Sequence, residues 1–193
     1  MKALCVAVLA VIFSFYTAGA QTNFGLKAGY NSSSVQISDG ADFDSKSGFY
    51  VGGLAHIHIS EHFAVQPEVV FSTQGGKISD DNTLNLNYIN VPVLAQYMVN
   101  DGFRLQTGPQ VGFLVSAERE IGDVEIDVDD TYNSVDFSWV FGAGYLFTSG
   151  IGIDLRYNLG LNNISDDSDF EAKNRVFQVG LFYQFRNNAG RKK

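Results

Sequence analysis

Six ionisable side chains fall on one face of the strand-like stretches that carry them: Lys27, Arg104 and Arg156 against Glu68, Asp136 and Asp154. Buried charges persist when they are matched, so this balance predicts a near-neutral paired network more readily than a polar path for a substrate. His56 and His58 form an H-x-H pair on the same kind of face, with His62 in the adjoining turn. Two ligands do not complete a zinc site, and no cysteine or convergent third ligand accompanies them, so structural histidines are expected. A hydrolase needs a nucleophile held to a base and an orienter; the chain has no G-x-S-x-G and no H-E-x-x-H. Gly142-x-Gly144 lacks the later glycine of a dinucleotide fingerprint. A calcium loop counted from Asp123 would place Val128 and Ser134 where glycine and glutamate are required. No catalytic, metal or cofactor residue is therefore expected, and a lipid-modifying enzyme built on His56, His58 and nearby serines stays as an alternative.

The elements that must position these charges are strands. Period-two alternation of apolar and small or polar residues runs almost throughout, without a long stretch of helical spacing. It predicts eight strands, at 22–35, 48–59, 63–74, 84–99, 103–117, 135–147, 151–161 and 175–185. Tight turns at 60–62, 100–102 and 148–150 alternate with longer polar connections at 36–47, 75–83, 118–134 and 162–174. An antiparallel up-and-down meander follows, with short turns at one end and long loops at the other.

Size decides which face points inward. An eight-stranded cylinder has an interior just wide enough for side chains to fill it. The apolar face carries Phe24, Tyr30, Phe49, Phe63, Phe71, Phe103, Phe137, Trp139, Phe141 and Tyr157 among others, far too much bulk for that space. The opposite face offers Gly25, Gly52, Gly108, Gly142 and Gly180 interspersed with Gln66, Gln106, Gln110, Asn158 and Gln178. The greasy face must point outward. Exposed to water it would aggregate, whereas a closed barrel in lipid requires it. An all-β, eight-stranded transmembrane barrel with a side-chain-filled lumen is the expected fold; a soluble lipocalin-like barrel is its rival. Membrane barrels carry aromatic girdles at their interfaces, and Phe24, Phe63, Tyr97, Phe103, Tyr145, Phe147, Tyr183 and Phe185 all lie outward near the short-turn end. Pro67, Pro92 and Pro109 fall inside strands, where a missing N–H predicts bulges.

Six segments carry a family resemblance. "FGLKAGYNSS" (24–33), "VQPEVVFS" (65–72), "YINVPVLAQY" (88–97), "LQTGPQVGFLVS" (105–116), "DLRYNLGLNNIS" (154–165) and "FQVGLFYQF" (177–185) resemble, in order, strands of the PorT-like outer-membrane β-barrel domain of Bacteroidetes-type bacteria. The resemblance implies a small outer-membrane barrel with periplasmic short turns, tolerance of the strand prolines, and an accessory role in protein secretion. Asn90 and Gln96 stand where members often carry a charged pair.

The remaining features fit export to an envelope. Residues 1–20 read as a cleavable signal peptide, with Lys2, an apolar stretch and Ala18-Gly19-Ala20 before Gln21. The mature barrel would span 21–185, and 186–193 would form a short basic periplasmic tail. Cys5, the single cysteine, lies within the signal, so the mature chain would have no thiol chemistry. A formal charge of −8 with no clustered Lys and Arg before the last few residues argues against nucleic acid. Acidic residues concentrate in 118–130 and 165–175. These loops are expected to face outward and to meet lipopolysaccharide through divalent cations, or an envelope protein partner. Alternation in "VEIDV" predicts a hairpin projecting beyond the bilayer, and deleting 120–132 is expected to leave the barrel intact. Wide aqueous pores belong to barrels of about 16 to 18 strands, so passive nutrient flux is not expected. A structural or surface-interaction role is.

Overall fold

The computed structural model describes residues 22–37, 44–79, 81–99, 102–122, 124–165 and 172–185. The expected signal segment and the 186–193 tail lie outside these residues. Strands β1 (Thr22–Ile37), β2 (Asp44–His58), β3 (Phe63–Ser79), β4 (Asn82–Met98), β5 (Phe103–Ile121), β6 (Val124–Asp127), β7 (Val135–Leu146), β8 (Ile151–Gly160) and β9 (Ala172–Gln184) follow in chain order. Each pairs antiparallel with its neighbour, β7 docks on β5, and the β1–β9 and β4–β5 ladders close a cylinder of eight strands. Short β6 lies outside it, pairing only with the far end of β5.

Strand length sorts the barrel into a lipid-sized part and an extension. Roughly 9 to 11 tilted residues cross a bilayer, a requirement β8 meets with 10 while β5 has 19. The surplus lies at the long-loop end. There the expected 75–83 loop is instead a continuous hairpin, in which β3 and β4 pair as far as Ser79 and Asn82. Its polar, glycine-bearing sequence reads as loop, yet Gly75 takes a positive φ of 126° within the ladder and pairing continues past it. Above the rim, Glu118 to Ile121 of β5 pair with Asp127 to Val124 of β6, giving the projecting hairpin.

The strand prolines do not bulge the sheet. Pro109 sits opposite Trp139 in an unbroken ladder. Beside Pro67 the β2–β3 pairing lapses and then resumes in the same register, Leu54 facing Glu68 and Ile57 facing Val65. A strand N–H points to one neighbour only, so a proline removes one rung without displacing the rest. The register shifts fall elsewhere, between Ser45 and Tyr50, Lys77 and Ser79, and Asn87 and Tyr88.

Burial alternates along every barrel strand, and the exposed face is the bulky one. Leu26, Phe49, Phe63, Leu155, Phe177 and Leu181 are all exposed, while Gln66, Gln106, Asn158 and Gln178 are buried. In water such an exterior would expose far more contiguous apolar surface than a monomer tolerates. In hydrocarbon it is the stable arrangement, because closure pairs the backbone and leaves no sheet edge within the lipid.

Candidate functional site

The lumen is built from strand parity, and its middle is an ion cluster. Lys27 on β1, Glu68 on β3 and Asp154 and Arg156 on β8 converge across the barrel axis. Lys27 Nζ lies 3.2 Å from Glu68 Oε2 and 3.0 Å from Asp154 Oδ2. The Arg156 guanidinium donates two hydrogen bonds of 2.7 Å to the Glu68 carboxylate, a bidentate pairing that suits its planar fork. Its Nε also stands 2.9 Å from Asp154 Oδ2, an ion-pair contact without the alignment of a hydrogen bond. Gln66 Nε2 donates to Glu68 Oε1 at 2.7 Å, and the Tyr50 hydroxyl donates to Asp154 Oδ1 at 3.0 Å. Two cations and two carboxylates thus compensate one another in a space closed to solvent.

The other two charged positions stand apart from this group. Arg104, the second residue of β5, lies toward the short-turn end with its guanidinium carbon 5.3 Å from the Phe182 ring centre. Asp136 lies near the opposite end, accepting a hydrogen bond from Asn174 Nδ2 at 3.1 Å. All six are buried, but strand parity carries no information on depth, which depends on how far each strand is shifted against the next.

Inward aromatic rings are the part that face-wide size reasoning missed. Tyr50, Tyr88 and Phe182 are buried in the lumen. Room for them comes from facing glycines. A Cβ on Gly180 would sit 2.8 Å from Tyr50 Cζ, and one on Gly152 would sit 2.5 Å from Phe182 Cε1. The available signal was this complementarity: each large inward residue is matched by a residue with no side chain.

A second closure lies at the long-loop end. Val35, Leu84, Leu86, Tyr88, Ala117, Ile164 and Ala172 form a buried apolar cluster, with Val128 and Tyr132 packed on it. The segment after β6 folds back to make this cap: Val128 N–H donates to Ala117 O at 2.9 Å, and Tyr132 bridges to Ser165. The 120–132 stretch is therefore peripheral only at its hairpin tip, since its last residues seal the barrel.

Of the histidines, His56 is buried beside Gln66, with Nδ1 3.3 Å from Gln66 Oε1, and His58 meets it edge-on. His62 is elsewhere, stacked against Tyr97. Among the described residues no three His, Cys, Asp or Glu side chains gather as metal ligands.

Outside, the eight short-turn aromatics lie as a band. Phe63 and Tyr97 pair across strands with ring centres 5.2 Å apart; Tyr145 contacts Phe147 at 4.9 Å and Tyr183 contacts Phe185 at 5.3 Å. Phe24 and Phe103 are exposed on the same end. Toward the long loops a further set stands outward, including Tyr30, Phe49, Phe137, Trp139, Tyr157 and Phe177. Phe63 and Phe71 on β3 are eight residues apart. At ~3.3 Å per residue and a tilt of ~40°, the bands are separated by roughly 20 Å, close to the ~25 Å apolar zone of membrane barrels.

The family described as outer membrane protein β-barrel domain matches residues 19–166. The chain belongs to that family. This outer-membrane barrel therefore resides in the outer membrane. No curated protein matches it. Among solved structures it is similar to Neisserial surface protein A, with 14% identity over 86% of this chain and 99% of that one and a TM-score of 0.64. It is also similar to Ail, the attachment invasion locus protein of Yersinia pestis, at 18% identity, with 86% and 99% of the two chains covered and a TM-score of 0.52. A complex of Ail with the heparin analogue sucrose octasulfate aligns with a TM-score of 0.51, at 18% identity over 86% of this chain and 99% of that one. At these identities the likeness is one of fold.

Proposed function

We propose that this barrel is a structural and surface-contact element of the outer membrane rather than a conduit. The observation that carries this reading is the double closure of the lumen, by the Lys27–Glu68–Asp154–Arg156 cluster and by the apolar cap around Leu84, Leu86 and Tyr88. A tube blocked at two depths leaves its loops as the working surface. On the described rim Glu118, Glu120, Glu125, Asp127, Asp129 and Asp130 stand among fewer basic residues, chiefly Lys46, Lys77 and Arg119. Such a rim repels polyanions unless cations intervene, so contact with lipopolysaccharide runs through divalent ions, and the sulfated ligand of Ail is not the model for this chain. The short-turn aromatics serve as the periplasmic girdle.

The test has two readouts on the purified barrel. In planar bilayers it should show no stepwise conductance. Binding to lipopolysaccharide vesicles should require magnesium and fall on chelation. Regular channel steps, or binding indifferent to chelation, would overturn the reading.

The PorT-like segments favour a second reading, an accessory component of an envelope secretion system. The apolar-edged β6 hairpin, with Val124 and Ile126 exposed above the rim, suits such a contact. Reciprocal capture of the same envelope proteins by the intact barrel, lost when 121–126 is replaced by a short turn, would support it; unchanged capture would remove it.

A further inference from the structure

The charge balance of the lumen leaves one cation over at the periplasmic mouth. With Lys27 and Arg156 already matched by Glu68 and Asp154, Arg104 is the remaining Lys or Arg on the inner face at this end among the described residues. It is 95% buried, by its 5% exposure, yet its Nε and one terminal nitrogen find no acceptor among the described residues. Burying an unmatched guanidinium is costly unless something satisfies it.

Arg104 borders a cavity of about 280 Å³ at the short-turn end. Gln184, whose Nε2 is likewise buried and without an acceptor among the described residues, borders the same cavity. Asn23 and the edges of His56 and His58 add polar wall, while Met98 and Phe103 supply apolar wall. Among the described residues, no Asp or Glu lines it. The carboxylate whose charge reaches Arg104 is that of Asp154, and it is already engaged by Lys27, Tyr50 and Arg156. Phe182, seated over Gly152, holds the arginine by its face. A held guanidinium beside an amide, both with unpartnered N–H donors on residues that line one cavity and with no carboxylate among its described wall residues, is the chemistry of oxyanion recognition.

We propose that the periplasmic mouth of the barrel binds a phosphate-type oxyanion on Arg104 and Gln184. The cavity exceeds what one such group needs, and its apolar wall accommodates whatever carries it. Two sources share the chemistry: free phosphate, and the headgroup of an anionic phospholipid in the periplasmic leaflet. The ion cluster above makes the site a dead end, so this is binding and not transport.

The experiment uses the full folded chain in phosphatidylcholine nanodiscs, observing the Arg104 side-chain N–H and the Gln184 amide by nuclear magnetic resonance. One arm titrates inorganic phosphate against chloride at constant ionic strength; the other replaces part of the phosphatidylcholine by phosphatidylglycerol. Saturable shifts of both groups are expected in at least one arm, and the responding arm identifies the source. Arg104→Gln should weaken binding roughly tenfold or more, the loss of a charge-assisted hydrogen bond. Gln184→Glu should do the same by a different route, placing an internal carboxylate where the ligand sits. Either variant suffices if the other does not fold. No saturable shift in both arms, or unchanged binding in a folded variant, would overturn the assignment.

Discussion

Replacing Arg156 by methionine isolates the energetics of the lumen cluster. The native group holds two cations against two carboxylates, and the Glu68 side chain has 0% exposure. Arg156→Met removes both 2.7 Å bonds to Glu68 and leaves Lys27 alone against Glu68 and Asp154. Taking one partner from a buried ion pair costs about 3–5 kcal/mol, because a charge is stranded. Adding Glu68→Gln removes the stranded charge while Gln66 keeps an oxygen to donate to, so the double variant should recover at least about 2 kcal/mol, the scale of coupling between contacting residues. The assay is urea unfolding from phospholipid vesicles, followed by Trp139 emission and by the mobility difference between folded and unfolded barrel on gels. A single variant within about 0.5 kcal/mol of the parent, or a double variant whose cost is the sum of the singles, would refute the compensated-cluster account.

Three further outcomes follow from the same structure. Leu181 is exposed between the two aromatic bands, so Leu181→Arg should cost about 2–4 kcal/mol in vesicles, whereas Ile126→Arg on the projecting hairpin should change stability by about 0.5 kcal/mol or less; equal effects in urea titrations would contradict the lipid boundary. Gly152→Leu places side-chain atoms inside the space of Phe182 and should prevent formation of the heat-resistant folded band on gels, while Gly53→Ala, whose nearest contact is Gly25 O at 3.8 Å, should fold normally. In the outer cap, burial pushes the Tyr132 phenol above its usual range, with Arg119 pulling it partly back. The unfolded phenol ionises first as pH rises, so the stability contributed by the neutral ring is present below about pH 10 and lost upward through the raised folded value. Tyr132→Phe should abolish that alkaline loss, read as the difference in unfolding midpoint between the two proteins across the pH range.

Much of the barrel was legible because its two faces differ in volume. The eight expected strands are all present, and alternation fixed which side met lipid because Phe, Leu and Trp on one parity could not fit where Gly and Gln on the other could. Boundaries were short at the long-loop end because polar residues beyond the membrane, as at Gly75 to Ser79, give no apolar signal although they pair. The prolines were over-read: their effect is one missing rung, not a displaced strand. In the lumen, parity named Lys27, Glu68, Asp154 and Arg156, but separating Arg104 and Asp136 from them required the register of every ladder around the cylinder. Tyr50 and Phe182 were hidden for a related reason, since the glycines that admit them lie on other strands.

The orientation of the apolar face is tested most directly by the single tryptophan. Trp139 stands outward on β7, its Nε1 donating to Thr107 Oγ1 at 2.8 Å. In vesicles its emission should be quenched by lipids brominated on their acyl chains, most strongly for bromines near the headgroup end, and little by aqueous iodide. Strong quenching by iodide with none from brominated lipid would place that face in water and contradict the account.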